Sequence, residues 1–323
     1  MHSTILDATA LETCVAAAVA APSLHNSQPW RFRLDPETVT FHIRAAPDPG
    51  LCLTDPDGRA LHVAVGACLL NLRVAMAHFG WTPVTRLLPV PRDPALLAAV
   101  CPTEVGTGPL TADADLYGPL WRRHSSRLPF TGDDLPPQVR ADLTAAARAE
   151  GASLHFPGRR ETERLLGLTA RGERRNHESP GRVRESRRWV RDDPYEEYET
   201  GLPPEALGPQ DARERLPLRD FTGQRHADRL TARSFETAPV VALLSTRHDR
   251  RADWLRAGQA LERVLLVATA GGLRTSLLHQ AMEWPDLRRL LSPVSGHAQM
   301  LIRLGHGPQG PVTPRRPVAS VLV

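Results

Sequence analysis

No lysine occurs anywhere in this chain; all forty basic residues are arginine, which coding bias in a G+C-rich genome explains most simply. Without lysine there is no Gly-x-x-x-x-Gly-Lys phosphate loop. No Gly-x-Gly-x-x-Gly follows a strand-like run and no His-Glu-x-x-His occurs, so common dinucleotide and zinc-protease readings fall away and no metal is expected. Aromatic residues make up only 5% of the chain, too few for base-stacking platforms. The formal charge of +4 admits anionic ligands and is too mild to argue for nucleic acid. The four cysteines, Cys14, Cys52, Cys68 and Cys101, form no Cys-x-x-Cys pair, so neither a disulfide framework nor a zinc site is expected. Met1 to Asp7 lacks a basic n-region, and no apolar run reads as long enough to span a membrane. The expectation is a soluble, cytoplasmic protein with no membrane and no nucleic-acid partner.

What is present is 323 residues with 41% apolar composition, enough for a sizeable core. Leu6 to Ala21 reads as an alanine-rich helix stopped by Pro22. Trp30–Leu34 and Val39–Arg44 alternate apolar and polar residues around Asp35-Pro36-Glu37, as a hairpin does. Ala60 to Phe79 and Asp253 to Ala270 are long apolar helices, each ended by glycine. Further strands are expected at Val84–Leu88, Ser153–Phe156, Val240–Ser245 and Met300–Leu304. Helices are expected at Leu116–Arg123 and Pro137–Ala149, with Thr131 in the N-cap region of the latter. Gly66 and Gly80 are spaced as Gly258 and Gly272 are, with Leu69 matching Leu261, which suggests duplicated halves. Residues 171–222 break the pattern with mixed charge, glycine and proline. Their aromatics Trp189, Tyr195, Tyr198 and Phe221 leave a lid and a plain surface excursion both open.

Ala21-Pro22-Ser23-Leu24-His25-Asn26-Ser27-Gln28-Pro29-Trp30 puts a proline, small polar residues and two carboxamides at a helix-to-strand connection. Such a connection can set backbone N–H groups and carboxamides around a planar polar ligand. It resembles the flavin-binding Pro-Ser-x-x-Asn-x-Gln-Pro-Trp loop of the nitroreductase superfamily. Arg122-Arg123-His124-Ser125-Ser126-Arg127 resembles that family's Arg-x-Ser-x-(Lys/Arg) motif, in which arginine forks and a hydroxyl suit a phosphate. Thr313-Pro314-Arg315-Arg316-Pro317 sits where family members close the phosphate site. The stretch from Gly272 to Gln280 occupies the place of the family loop that runs over flavin N5.

The resemblance implies an α+β nitroreductase-like fold with antiparallel-rich sheets flanked by helices and long central helices at the interface. Two fused, diverged halves, 1–112 and 113–323, would fold together as one pseudo-dimer, with the lid-like insertion at about 171–222. It implies FMN held by Ser23, Leu24, His25, Asn26 and Gln28 from the first half. The second half would supply Arg123, His124, Ser125, Arg127, Arg315 and Arg316. Leu278 and His279 would neighbour N5, with His279 equally readable as a core histidine, and no side-chain acid is assigned. One composite site survives, because each half lacks the motif the other carries.

The implied activity is ping-pong hydride transfer from NAD(P)H through FMN to a small-molecule acceptor of the nitroaromatic or quinone type. The form of the motif resembles the Acg-type nitroreductase homologues. Some of these cover the flavin with a lid and lack ordinary activity, so FMN storage or sequestration is the alternative. A monomer acting as a pseudo-dimer is expected, with a weak homodimer left open.

Overall fold

The computed structural model describes residues 8–104, 113–193, 195–222 and 232–323. The expected boundary at 112/113 and the expected helix start at Leu6 fall outside or at the edge of those residues.

Helix α1 spans Ala8–Val19 and leads through residues 20–29 to strand β1, Trp30–Asp35, and β2, Thr40–Ala45. These two strands pair antiparallel with Phe32 opposite Ile43, and alternation buries both side chains on the core face. Helix α2, Arg59–His78, follows, then β3, Trp81–Leu87, and β4, Leu96–Glu104. Strand β4 was not expected from sequence. It inserts between β2 and β3, giving the sheet order β1-β2-β4-β3 with every pairing antiparallel.

The remainder builds a second sheet. Helices α3, Tyr117–Arg122, and α4, Pro137–Ala149, precede β5, Ser153–His155. Pro136, not the Thr131 region, stands at the N-cap of α4, and Pro137 takes the first-turn position where its missing N–H costs nothing. Thr131 instead donates its N–H to the His306 carbonyl. Helices α5, Arg159–Glu178, and α6, Pro180–Arg187, then short strands β6, Gln210–Asp211, and β7, Ala232–Arg233, lead to β8, Val240–Thr246. The long helix α7 is Arg251–Ala270, followed by β9, Arg274–Leu278, helix α8, Pro285–Leu291, and β10, His297–Gly305. The sheet order is β5-β8-β10-β9, again antiparallel throughout. Both sheets therefore run first-second-fourth-third, with a long helix between the second and third strands.

Helices α2 and α7 pack against each other at the centre. A Cβ on Gly66 would lie 2.1 Å from the Leu255 carbonyl oxygen, and one on Gly258 would lie 2.0 Å from that of Val63. The contact is reciprocal, and only hydrogen fits there. By length and apolarity α2 does reach membrane-spanning size, contrary to the sequence expectation, but it is buried within the protein as a core helix. After β10 the chain returns to the first sheet. Short helix α9, Val318–Val321, leads to Val323, whose N–H donates to the Phe32 carbonyl at 2.9 Å. Residues 171–187 are largely helical, belonging to α5 and α6. Leu165 and Leu166 fix α5 on the second core.

Candidate functional site

The loop between α1 and β1 has an unusual backbone. His25, Asn26 and Gln28 all have positive φ, at 52°, 57° and 52°. Side chains other than glycine avoid that region, and clusters of them accompany functional sites. Ser23 fixes the bend, its Oγ accepting from the Gln28 N–H at 3.0 Å.

This loop edges a cavity with about 1160 Å³ of empty volume, counting its open mouth. Its floor is apolar: Ala60, Val63 and Ala64 from α2, Leu261 from α7, and Leu277 and Met300 from the second sheet. Ser23, Leu24, His25, Asn26, Arg123, His124, Ser125, Arg127, Leu278, His279 and Arg315 all line it, so these expected residues are brought together from distant parts of the chain. Leu202, Ala206, Leu218, Arg219 and Phe221, from the expected insertion, line it too.

Two expected residues do not line it. Gln28 is buried behind the wall, where its Nε2 donates to the Glu199 carbonyl at 2.6 Å and its Oε1 accepts from the Arg316 N–H at 2.8 Å. The Arg316 guanidinium turns to Glu199 at 3.5 Å. Both fasten the loop to neighbouring segments. Asn26 does line the cavity, but its carboxamide serves the protein. Nδ2 donates to Gly201 O at 3.0 Å and Pro314 O at 2.8 Å, while Oδ1 accepts from Arg315 at 2.9 Å. Neither carboxamide is thus spare for a ligand. The segment Arg274–Leu278 is also not a loop but edge strand β9, paired to β10.

One end of the cavity is a cationic cradle. Arg123 and Arg315 both donate to the Ala20 carbonyl, at 3.0 and 3.2 Å. Glu262 of α7, fully buried, lies 3.2 Å from Arg123 Nε. Burial pushes the Glu262 carboxyl up, while Arg123, Asn71 and Arg315 pull it down. Burial, with Arg123 alongside, brings Arg315 down to about 9. Burial and the same two arginines bring His124 to about 4, so it is neutral near pH 7. Among the described residues, two guanidiniums against one carboxylate leave one positive charge uncompensated, and Arg315 Nε is buried without a partner. Ser125 is held beside them by a parallel bridge to Thr275. Glu262 was missed from sequence: it is one acidic residue inside an apolar helix, and nothing local marks it.

The other end is walled by a buried ionic group. Arg59 of α2 donates to His279 Nε2 at 2.8 Å; guanidinium cannot accept, so the His279 proton sits on Nδ1, which donates to Glu283 at 3.0 Å. Glu283 also pairs with Arg219 and Arg182. Burial opposes its ionisation, yet Arg219 and His279 hold the carboxyl down at about 2. Arg127, brought to about 10 by burial and Arg219, donates to Ala206 O at 2.6 Å and lies 4.9 Å over the Phe221 ring. Among the described residues it has no carboxylate partner.

The Glu283 value carries a pH expectation. A folded value below the unfolded one stabilises fully above the unfolded pKa, about 4.3, and that stability is lost as pH falls toward 2. Between about pH 5 and pH 3 the urea midpoint should fall further for the unaltered protein than for Glu283→Gln. Parallel declines would mean that Glu283 is not held ionised by the fold.

Fold and site together define an α+β protein of two antiparallel sheets around a cationic, apolar-floored cavity, and comparison with known proteins gives the family. The nitroreductase family model matches residues 120–306, and the chain belongs to that family. A Mycobacterium tuberculosis protein named "Putative NAD(P)H nitroreductase Rv3131" is 30% identical over 333 residues, covering 100% of this chain and 93% of its own. From the same organism, "Putative NAD(P)H nitroreductase acg" is 32% identical over 346 residues, covering 99% and 97%. Among solved structures, a Bacteroides fragilis nitroreductase with bound FMN is 13% identical, covering 62% of this chain and 93% of that one, with a TM-score of 0.37.

Proposed function

We propose that the cavity holds FMN and that the protein is an NAD(P)H-dependent oxidoreductase acting on a small planar acceptor. The observation that carries this reading is the cradle of Arg123 and Arg315, short of one negative charge, at the end of a slot with an apolar floor. A phosphate supplies the missing charge, since arginine forks pair with it bidentately. When bound, the flavin supplies the hydride chemistry. The protein's own residues anchor, orient and shield. Arg123, Arg315 and Ser125 fix the phosphate end. The floor from α2 and α7 excludes water from one face. Arg127, without a counter-ion among the described residues, favours negative charge at its end of the slot.

We also infer fused halves and a single flavin per chain. The shared strand order and the reciprocal Gly66–Gly258 contact support the fusion. The counterpart of the 20–29 loop is the short 150–152 connection between α4 and β5. There Glu150 pairs with Arg73 at 2.7 Å and Arg263 at 2.6 Å, and Arg263 also pairs with Asp113 at 2.7 Å. Such a cluster satisfies its own charges and leaves no cradle. One chain then suffices for a complete site.

A second reading, flavin sequestration, is favoured by one observation: Leu202, Ala206, Leu218, Arg219 and Phe221, all from the 171–222 stretch, line the same cavity. The visible spectrum followed by anaerobic NADPH separates the two. The purified protein is expected to be yellow, with about one FMN per chain, and to bleach. Yellow without bleaching would move the conclusion to sequestration. A colourless protein that also refuses added FMN would overturn both.

A further inference from the structure

Behind the cradle lies a carboxylate with no exposed surface. Glu262 is buried in α7, and its ion-pair partner at 3.2 Å is Arg123, which also lines the cavity. Arg315 acts on the same carboxyl group from the C-terminal tail. From α2, the buried Asn71 turns its carboxamide toward it, and Cys68, kept a thiol by burial, lies on the turn before. His124 stands beside both arginines and is neutral near pH 7. A carboxamide suits either form of Glu262: Nδ2 can donate to a carboxylate, and Oδ1 can accept from a carboxylic acid. A phosphate monoester brings nearly two negative charges at neutral pH. Among the described residues, the Arg123 and Arg315 guanidiniums balance those charges in full. Glu262 as a carboxylate would then leave the group one negative charge over, where water does not reach, and an uncompensated buried charge is costly.

We propose that Glu262 takes up a proton when a phosphate seats against Arg123 and Arg315, so that the cradle grips its ligand more tightly as pH falls. This rests on the reading of the cradle as the flavin phosphate site and adds how that site is regulated. The proton leaves water and ends on a Glu262 carboxyl oxygen. Arg123, released from the ion pair, turns its whole charge to the phosphate. Glu262 is thus a positioning residue that acts through Arg123 and does not meet the ligand. The sign follows from linkage. A group that holds a proton more tightly in the complex makes affinity fall as pH rises between its free and bound pKa values. One proton corresponds to about a tenfold change in Kd per pH unit at most.

The test titrates FMN by calorimetry into the full chain freed of flavin, in buffers of different ionisation enthalpy. The slope of observed heat against buffer enthalpy counts the protons. At about pH 7.5 free phosphate is already the dianion, its second pKa being about 6, so it contributes little to the count. The unaltered protein is expected to take up about 0.5–1 proton per FMN, and its Kd to rise about three- to tenfold from pH 7 to pH 8. The 31P resonance of the bound phosphate should stay at its dianion position, which keeps the proton off the ligand. Glu262→Gln should take up almost none. It should also bind FMN more tightly than the unaltered protein at about pH 8, the gap narrowing as pH falls. A purely structural Glu262 would give the same proton count in both proteins. No uptake by the unaltered protein, a monoanionic bound phosphate, or equal uptake by Glu262→Gln, which would put the proton on His124, would overturn the proposal and leave the flavin reading standing. An unaltered protein that binds no FMN at any pH would overturn both.

Discussion

Arg123→Met is expected to cost about 3–5 kcal/mol of stability and to release the flavin, whereas Arg123→Met with Glu262→Gln should recover most of the stability and still bind no flavin. The two effects have different origins. Arg123 is 3% exposed and its partner Glu262 is 0% exposed, so the single change takes the 3.2 Å ion-pair partner from a fully buried carboxylate and leaves it only the weaker pulls of Asn71 and Arg315. Removing one member of a buried pair is far more damaging than removing both. Neutralising Glu262 in the same chain lifts that penalty. It does not restore the cradle, because Arg315 then faces a phosphate alone. Urea midpoints and bound FMN per chain are read on the single and double variants. If the double variant regains flavin, Arg315 and Ser125 suffice and Arg123 is chiefly the neutraliser of Glu262. If the single variant is as stable as the parent, Glu262 is protonated in the fold.

Gly258→Ala and Gly66→Ala should each destabilise the protein by about 3 kcal/mol, at the upper end for overpacking. A Cβ at Gly258 would sit 2.0 Å from a backbone oxygen of α2, and one at Gly66 would sit 2.1 Å from a backbone oxygen of α7. Backbone atoms in two buried helices cannot turn aside as a side-chain tip can. The helices must part, and with them Val63, Ala64 and Leu261, which floor the cavity. Flavin affinity should fall in step with stability. The two changes act on one contact, so the double variant should lose less than the sum of the singles. Fully additive losses, or a native urea midpoint in either single variant, would show that the helices are not in such close contact.

Much of this was written in local pattern. Alternation announced β1 and β2, and apolar runs ended by glycine announced α2 and α7. Two arginine motifs and the 21–30 loop converged on one cavity. Strand β4 was hidden because Leu96-Leu97-Ala98-Ala99-Val100 neither alternates nor favours β structure. Its place comes from the two strands that flank it. Gln28 and Arg316 lie off the cavity, bonded to Glu199 and to each other, because a motif gives position along the chain and not which way a side chain turns. The group of Arg59, Arg219, His279 and Glu283 could not be read at all. Its members come from α2, from the stretch between β6 and β7 and from beyond β9, and only the fold makes them neighbours.

Asn26 touches two things at once. Its carboxamide grips Gly201 in the segment over the cavity, and Pro314 and Arg315 beside the phosphate cradle. A side chain shared in this way couples the placement of the Gly201 stretch to occupancy of the cradle. Thermodynamic linkage makes that tie symmetrical: any factor by which a filled cradle steadies the Asn26–Gly201 contact is the same factor by which that contact tightens the cradle.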